Sequence, residues 1–331
     1  MRTAGALETL RPEPHRGDTV AAGVVALTTA IYVLELRFQN SWGIGIRFVL
    51  AALAAGFVAA LAVQAPMEGD RPRAYQSVLY IAAFALTLAA IANFADLLGS
   101  DGGSGTVVWV GLLAGAVAAW FATRRNSAVM TLLAAVTYGV VVLAFVDWVF
   151  SPDGVSTFRW ILLLLIGGYV AASLSQRGPR PRHAVQLVNA AGLAVIGLGV
   201  TFVIDNLFGF EGPFPANAGT GWELVLLACG FGLLAYSAVD REPGPGYLGV
   251  VVLLLFVWIG GSPDRGGASL IGWPIFLLLA AGALLVAGLR PSRPLPPPPD
   301  AGAPPPPPPT PLPDPPTTPI GGDDTTEIRN P

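Results

Sequence analysis

The residues of this chain whose types could do chemistry are ionisable side chains that interrupt long apolar stretches. Charged groups are costly in lipid, so inside an apolar stretch they are candidates for a binding or transport site. Each of them falls within about a turn or so of one end of its stretch. They form the predicted polar site: Glu35, Arg47, Asp96, Asp147, Arg159, Asp205 and Glu223. Their depth argues against a proton relay, whose carboxylates are expected at the middle of the membrane.

The polar site has two interpretations. In the first it is a polar rim, in which Glu35 pairs with Arg47 and Asp147 pairs with Arg159 across two short connections. In the second the same groups converge on an outward-facing cavity that binds a ligand. Arg47 is then the principal residue, because it lies deepest of the charged groups.

Other chemistry finds little support in the sequence. The single cysteine, Cys229, lies in an apolar stretch and permits neither an intramolecular disulfide nor a thiolate cluster. Histidine occurs only as His15 and His183, and the chain has no HExxH, GxSxG or P-loop motif. A net charge of -3 with scattered arginines provides no basic patch for nucleic acid. The sequence therefore predicts no enzyme, no cofactor, no metal and no nucleic-acid partner.

The composition indicates that lipid is the solvent of most of the chain. Of its 331 residues 53% are hydrophobic and 12% are charged, whereas about 25% are charged in soluble domains. A membrane span needs about 20 mostly apolar residues in helical form. Ten stretches qualify, near 19–36, 43–64, 76–98, 106–123, 127–149, 157–175, 184–205, 220–239, 246–261 and 269–289. The predicted fold is an all-α polytopic transmembrane helix bundle of about ten spans, with the lipid bilayer as partner.

The arginines predict how the bundle is oriented. All 18 basic residues are arginine, a usage typical of GC-rich bacterial genomes, and all but Arg37, Arg47, Arg159 and Arg265 fall on one side of the spans. The positive-inside rule then places both termini in the cytoplasm, for a protein of the bacterial plasma membrane. The predicted organisation is a cytoplasmic N-terminal segment at 1–17, a membrane domain at 18–289 and a disordered proline-rich tail at 290–331.

Tryptophans mark a regular pattern along the membrane domain. They open every even-numbered span on the predicted outer side and are Trp42, Trp109, Trp160, Trp222 and Trp273. The last four are followed 15 to 19 residues later by the first arginine of the inner side, a distance of one membrane crossing at about 1.5 Å per residue. This spacing predicts a helical hairpin, connected on the outer side, that is repeated five times. An aromatic belt, which any multi-span protein can have, is the alternative explanation.

Glycines within the spans predict where helices approach each other closely. Gly111 with Gly115, and the group Gly192, Gly197 and Gly199, lie within apolar helices and follow no strand. Small residues at such positions allow the backbones of two membrane helices to come together. We therefore interpret them as packing faces and not as a dinucleotide-binding loop.

The tail carries a linear motif. It holds 18 of the chain's 31 prolines, which favour extended polyproline II over a helix. Near its end, Thr325 and Thr326 stand between acidic residues, and this context resembles the sites of bacterial membrane-bound Ser/Thr kinases. Phosphothreonine there would suit a forkhead-associated domain, with Ile328 three residues after Thr325. An unmodified soluble end, or a semi-rigid spacer, is the alternative.

Three features are shared with a known group of proteins: the arginine-only usage, the segment PGPGYLGVVVLLLFVWIGG at 243–261, and the proline-rich end. In these the chain resembles multi-pass integral membrane proteins common in actinobacteria-type genomes, a resemblance that implies no activity. A second likeness, to ten-helix drug and metabolite transporters, rests on helix number. We expect a non-enzymatic anchor, sensor or scaffold whose tail recruits cytoplasmic partners. The alternative is a small-solute transporter or channel with an outward-facing polar site.

Overall fold

The computed structural model describes residues 16–38, 41–67, 72–208 and 218–260, together with Ile275 and Leu279. In these ranges the chain is helical and contains no strand. Nine helices follow one another there: α1 (Gly17–Phe38), α2 (Ile44–Gln64), α3 (Ala74–Leu97), α4 (Ser104–Arg124), α5 (Ala128–Phe150), α6 (Ser156–Gln176), α7 (Pro181–Phe208), α8 (Thr220–Asp240) and α9 (Pro243–Gly260). All nine belong to one unit, which ends at Leu270.

The all-helical prediction is confirmed for the described residues. Eight helices, α1 to α8, are long and apolar enough to cross a membrane, and α9 is apolar but shorter. Of the predicted tenth span, only Ile275 and Leu279 are described, and both are helical. Trp273, most of the N-terminal segment, and the tail with Thr325 and Thr326 lie outside the described residues.

Two helices, α7 and α9, begin three residues earlier than hydropathy predicted, the largest such offset among the described helices. The predicted starts at 184 and 246 followed the apolar residues, whereas α7 begins at Pro181 and α9 at Pro243. Proline suits the first turn of a helix, because its ring presets the backbone angle and the amide it lacks would have no helical partner. The first helical residue was therefore marked by proline and not by the first apolar side chain.

Many alanines lie inside the bundle, and many large apolar side chains lie on its surface. Ala51, Ala114 and Ala118 are completely buried, whereas Leu53 and Leu164 are 69% and 75% exposed. In water this distribution would leave extended apolar surface, which soluble monomers avoid. In lipid it is favourable, since apolar surface costs nothing there and small residues let the helix backbones approach.

The helices that pack most extensively are joined by the connections that carry arginine. These neighbours are α2 with α3, α4 with α5, α6 with α7, and α8 with α9. By contrast, α1 with α2 and α5 with α6, two of the predicted hairpins, have far smaller contacts. The packing unit among the described helices is therefore offset by one helix from the predicted one. Trp and Arg report how deep a residue lies in the membrane, and depth does not determine which neighbour a helix packs against.

Glycines provide close approach between packed helices, within the pair α4–α5 and also between α7 and α9, as predicted for the glycines of α4 and α7. A Cβ atom on Gly111 would lie 2.4 Å from Cγ2 of Val141 in α5. A Cβ atom on Gly192 would lie 3.0 Å from Cδ1 of Leu248 in α9. The absent side chain at each position is therefore what allows the neighbouring helix to sit against it.

Candidate functional site

Side-chain contacts define two ends of the described bundle. We call the end that carries Trp42, Trp109, Trp160 and Trp222 the tryptophan end. The opposite end, which carries the connections with arginine, is the arginine end. Contacts between distant helices join residues of the same end, as expected of helices that run alternately up and down. The predicted polar site belongs to the tryptophan end.

Glu35 of the predicted site bonds to the neighbouring helix α3. Its Oε1 atom accepts a hydrogen bond of 2.8 Å from Nδ2 of Asn93. Asn93 is buried, so this bond ties the end of α1 to α3 in a site with little water. The expected pair between Glu35 and Arg47 is absent from the described residues, because α1 packs against α3 more than against α2.

Arg47 lies half-buried in the first turns of α2. Its Nε atom is buried and has no hydrogen-bond partner among the described residues. A buried donor without a partner is costly, so this Nε atom is a group of the predicted site whose hydrogen-bonding capacity is unused among the described residues.

Asp147 and Asp96 have separate surroundings at the tryptophan end. Asp147, at the end of α5, accepts a hydrogen bond from the hydroxyl of Ser104 at the start of α4. Asp96 is exposed near the end of α3 and borders a cavity of about 510 Å³ between α3, α4 and α5. Apolar side chains such as Leu88, Val110 and Val140 form most of the cavity wall. Asp147 therefore joins α4 to α5 and does not pair with Arg159.

Arg159 belongs to a cluster of aromatic residues from three helices. Its Nε atom donates to Oγ1 of Thr201 in α7 at 3.1 Å, and its guanidinium carbon lies 3.8 Å from the centroid of the Phe202 ring. Trp222 of α8 lies against both Phe202 and Trp160, with ring centroids 6.0 Å and 5.1 Å apart. This cation–π contact holds the charge in an aromatic environment.

The last two residues of the predicted site lie near this aromatic cluster. Glu223 follows Trp222 in α8 and is 1% exposed, which is rare for a carboxylate. Asp205 is in α7, one turn after Thr201, and its side chain is outside the described residues. Among the predicted residues whose side chains are described, Glu35, Asp147 and Arg159 thus make separate contacts on different helix pairs. Phe202 and Ser104 are the contacts that sequence reasoning missed, and nothing in their spacing marks them.

A second polar region lies at the arginine end. His183 of α7 is buried; its Nδ1 atom lies 2.5 Å from Oγ1 of Thr131, and its Nε2 atom lies 2.8 Å from Oδ1 of Asn126. Arg177 forms an ion pair of 2.5 Å with Asp240. His183 opens an apolar stretch, which was the signal that could have marked this region.

The cavities of the described bundle differ in the polarity of their walls. The cavity between α6, α7 and α8 measures about 280 Å³ and is lined mainly by residues such as Ile166, Val188 and Leu233. A smaller cavity of about 230 Å³ at the arginine end has a more polar lining, including Arg180 and His183. No group of three or more His, Cys, Asp or Glu residues that could hold a metal occurs in the ranges the structure describes.

The fold and these sites define a class of protein: a multi-span helical bundle with an apolar surface and polar contacts at its two ends. Eight helices have the length and composition of membrane spans. No family model matches the chain, and no curated protein and no solved structure matches it either.

Proposed function

We propose that this protein is a non-enzymatic membrane anchor or scaffold whose proline-rich tail recruits cytoplasmic partners. The observation that supports this function is the division of polar residues at the tryptophan end into separate contacts between helices. Glu35 bonds to Asn93, Asp147 to Ser104 and Arg159 to Thr201. Each contact joins two helices, which is what a stable anchor requires, and a transport route would need such groups to face one passage.

In this proposal the arginine end faces the cytoplasm of a bacterial plasma membrane. Arg73, Arg125, Arg177 and Arg241 all lie at that end, in agreement with the positive-inside rule. A tenth span near 269–289 then brings the tail to the same side as the N-terminus. The five repeated hairpins remain a proposal about the origin of the chain.

The tail supplies the means of recruitment. Its prolines favour an extended conformation that is exposed to partners. A membrane-bound Ser/Thr kinase would phosphorylate Thr325 or Thr326, and a forkhead-associated domain would bind the product. Phosphate adds nearly two negative charges and acceptor oxygens that arginine binds in pairs, so binding would depend on modification.

Deletion of residues 291–331 tests this function. The truncated protein should keep its helical circular dichroism spectrum and thermal unfolding in detergent, and it should lose the proteins that the full chain captures in a pull-down. Thr325→Ala with Thr326→Ala should lose the phosphate-dependent partners alone. The matched control replaces Thr317 and Thr318, the other threonine pair of the tail, with alanine. This variant should retain the phosphate-dependent partners. Unchanged capture by the truncated protein would refute the scaffold function.

A solute transporter or channel is the second candidate, and the environment of Arg47 supports it. The half-buried guanidinium has an Nε atom without a partner among the described residues. Such a donor suits an anionic solute, for example a small carboxylate, whose oxygens would accept from it.

Arg47→Ala is expected to abolish saturable uptake of labelled acetate or succinate into proteoliposomes, because the substitution removes the only proposed contact to the solute. Arg37→Ala is the control, since Arg37 is an exposed arginine at the same end. Saturable uptake that survives Arg47→Ala would exclude this site. If the unmodified protein shows no saturable uptake, it does not transport acetate or succinate.

A further inference from the structure

The cavity at the arginine end has a lining unlike that of the larger cavities in the described bundle. It measures about 230 Å³ and lies where α4, α5 and the end of α6 meet the start of α7. Polar side chains from all four helices and the turn between α6 and α7 contribute to its wall: Thr123, Thr131, Gln176, Arg180 and His183. The remaining wall is apolar and includes Ala134 and Leu187. One end of the cavity is therefore polar and the other is not.

His183 and Thr131 form the fixed part of this wall. The Nδ1 and Nε2 atoms of the His183 ring are both engaged, with Thr131 of α5 and Asn126 of the connection before it. A neutral imidazole has one donor and one acceptor, and these two contacts use both. His183 thus holds α7 to α5 and has no further donor for a ligand. The donors that remain for a ligand lie at the end of α6 and in the turn to α7.

Two donors on that side have no partner among the described residues. The amide of Gln176 is half-buried at the end of α6, and the guanidinium of Arg180 is exposed in the turn to α7. Both side chains border the cavity, and neither forms a hydrogen bond or ion pair within the described ranges. Both donors are therefore available to an acceptor from outside the chain that enters the cavity.

The charge around the cavity favours an anion. Arg124, Arg177 and Arg182 lie at the same end as Arg180. Of the two acids in the connection between α8 and α9, Asp240 is occupied by Arg177 in an ion pair, and neither Asp240 nor Glu242 borders the cavity. The start of α7, a helix of 28 residues, adds the partial positive charge of a helix N-terminus.

We propose that this cavity binds the phosphate-bearing headgroup of an anionic membrane phospholipid. Arg180 and Gln176 donate to the phosphate oxygens, as arginine commonly does, and Ala134 and Leu187 contact the apolar part next to the headgroup. The apolar half of the wall favours a lipid over free phosphate. The depth agrees as well, since the cavity lies at the ends of helices that are long enough to span a membrane.

The test compares the binding of two lipids to the full chain in detergent. Native mass spectrometry measures how much phosphatidylglycerol or phosphatidylcholine stays bound, and the anionic lipid should bind more tightly. Arg180→Gln should weaken the binding of phosphatidylglycerol about tenfold or more, the size of a charge-assisted hydrogen bond. Gln176→Leu should weaken it about threefold to tenfold, the size of a neutral hydrogen bond. Arg182→Gln removes the same charge two residues away, from an exposed side chain that does not border the cavity, and should weaken the binding far less than Arg180→Gln does.

Each other outcome overturns the proposal in a recognisable way. Equal binding of the two lipids would show that the cavity does not select an anion. If Arg182→Gln weakened phosphatidylglycerol binding as much as Arg180→Gln, the overall positive charge of this end, and not the cavity, would be what attracts the lipid. Inorganic phosphate at millimolar concentration should not displace the lipid. Displacement, with retention of phosphate by the protein, would assign the cavity to free phosphate instead.

Discussion

Gly249→Leu is expected to lower the free energy of unfolding by about 3 kcal/mol, the upper part of the range for overpacking a tight interface. Gly249 of α9 packs against Gly230 of α8. A Cβ atom on Gly249 would lie 2.9 Å from the carbonyl oxygen of Gly230 and 3.1 Å from Cβ of Leu233. A backbone oxygen cannot rotate away as a side chain can, so the two helices would have to separate. The measurement is reversible denaturant unfolding in mixed micelles, followed by circular dichroism.

Gly232→Leu is the matched control for this prediction. Gly232 lies on the same helix as Gly230, and a Cβ atom there would meet nothing within 4 Å. Leucine is also a better helix former than glycine by up to about 1 kcal/mol, so this variant should unfold at the same or slightly higher denaturant concentration. If Gly249→Leu unfolds as the unmodified protein does, α8 and α9 do not approach each other through these glycines.

Gln76→Leu is expected to lower the free energy of unfolding by about 2–4 kcal/mol, because it leaves one buried and one partly buried backbone group without this partner. Gln76 is completely buried near the start of α3. Its Nε2 atom donates to the carbonyl oxygen of Ala65 at 2.9 Å, and its Oε1 atom accepts from the amide of Arg73 at 2.7 Å. One side chain therefore fastens the end of α2 to the start of α3. Leucine has a similar size, so the lost hydrogen bonds and not a cavity cause the effect.

Gln64→Leu makes the same chemical change at the same end of the bundle. Gln64 is the last residue of α2, is half-buried, and makes no side-chain hydrogen bond in the part of the chain that the structure describes. We expect a change within about 0.5 kcal/mol, as for most surface substitutions. Equal destabilisation by the two variants would mean that loss of polarity at this end, and not the bonds of Gln76, is responsible.

Gln76 also shows why part of the packing could not be predicted. Its identity and position suggested nothing more than a polar residue at the start of a span. Its role depends on Ala65 and Arg73, which the chain brings close through the connection from α2 to α3. Gly230 and Gly249 are a similar case, since each is unremarkable alone and important when the two backbones meet.

The polar site illustrates the same limit for function. Hydropathy predicted correctly that Glu35, Asp147 and Arg159 lie at the ends of helices. The predicted partners were chosen by nearness in the chain, across the short connections. The observed partners, Asn93 and Ser104 among them, come from helices that pack side by side. An ionisable residue in lipid requires a polar partner, but this requirement does not determine which residue the partner is.

Composition and hydropathy were sufficient to predict the nine helices of the described residues, and that Glu35, Asp147 and Arg159 lie near helix ends. The physical reason is that transfer of a helix into lipid is a sum over its own residues, so that 20 neighbours along the chain decide it. Which helices pair, where Arg159 meets Phe202, and how Arg180 and His183 come to share a cavity depended on the tertiary structure. Helix pairing in lipid depends on how well the surfaces of two helices fit each other. That fit cannot be predicted from the residues of either helix alone.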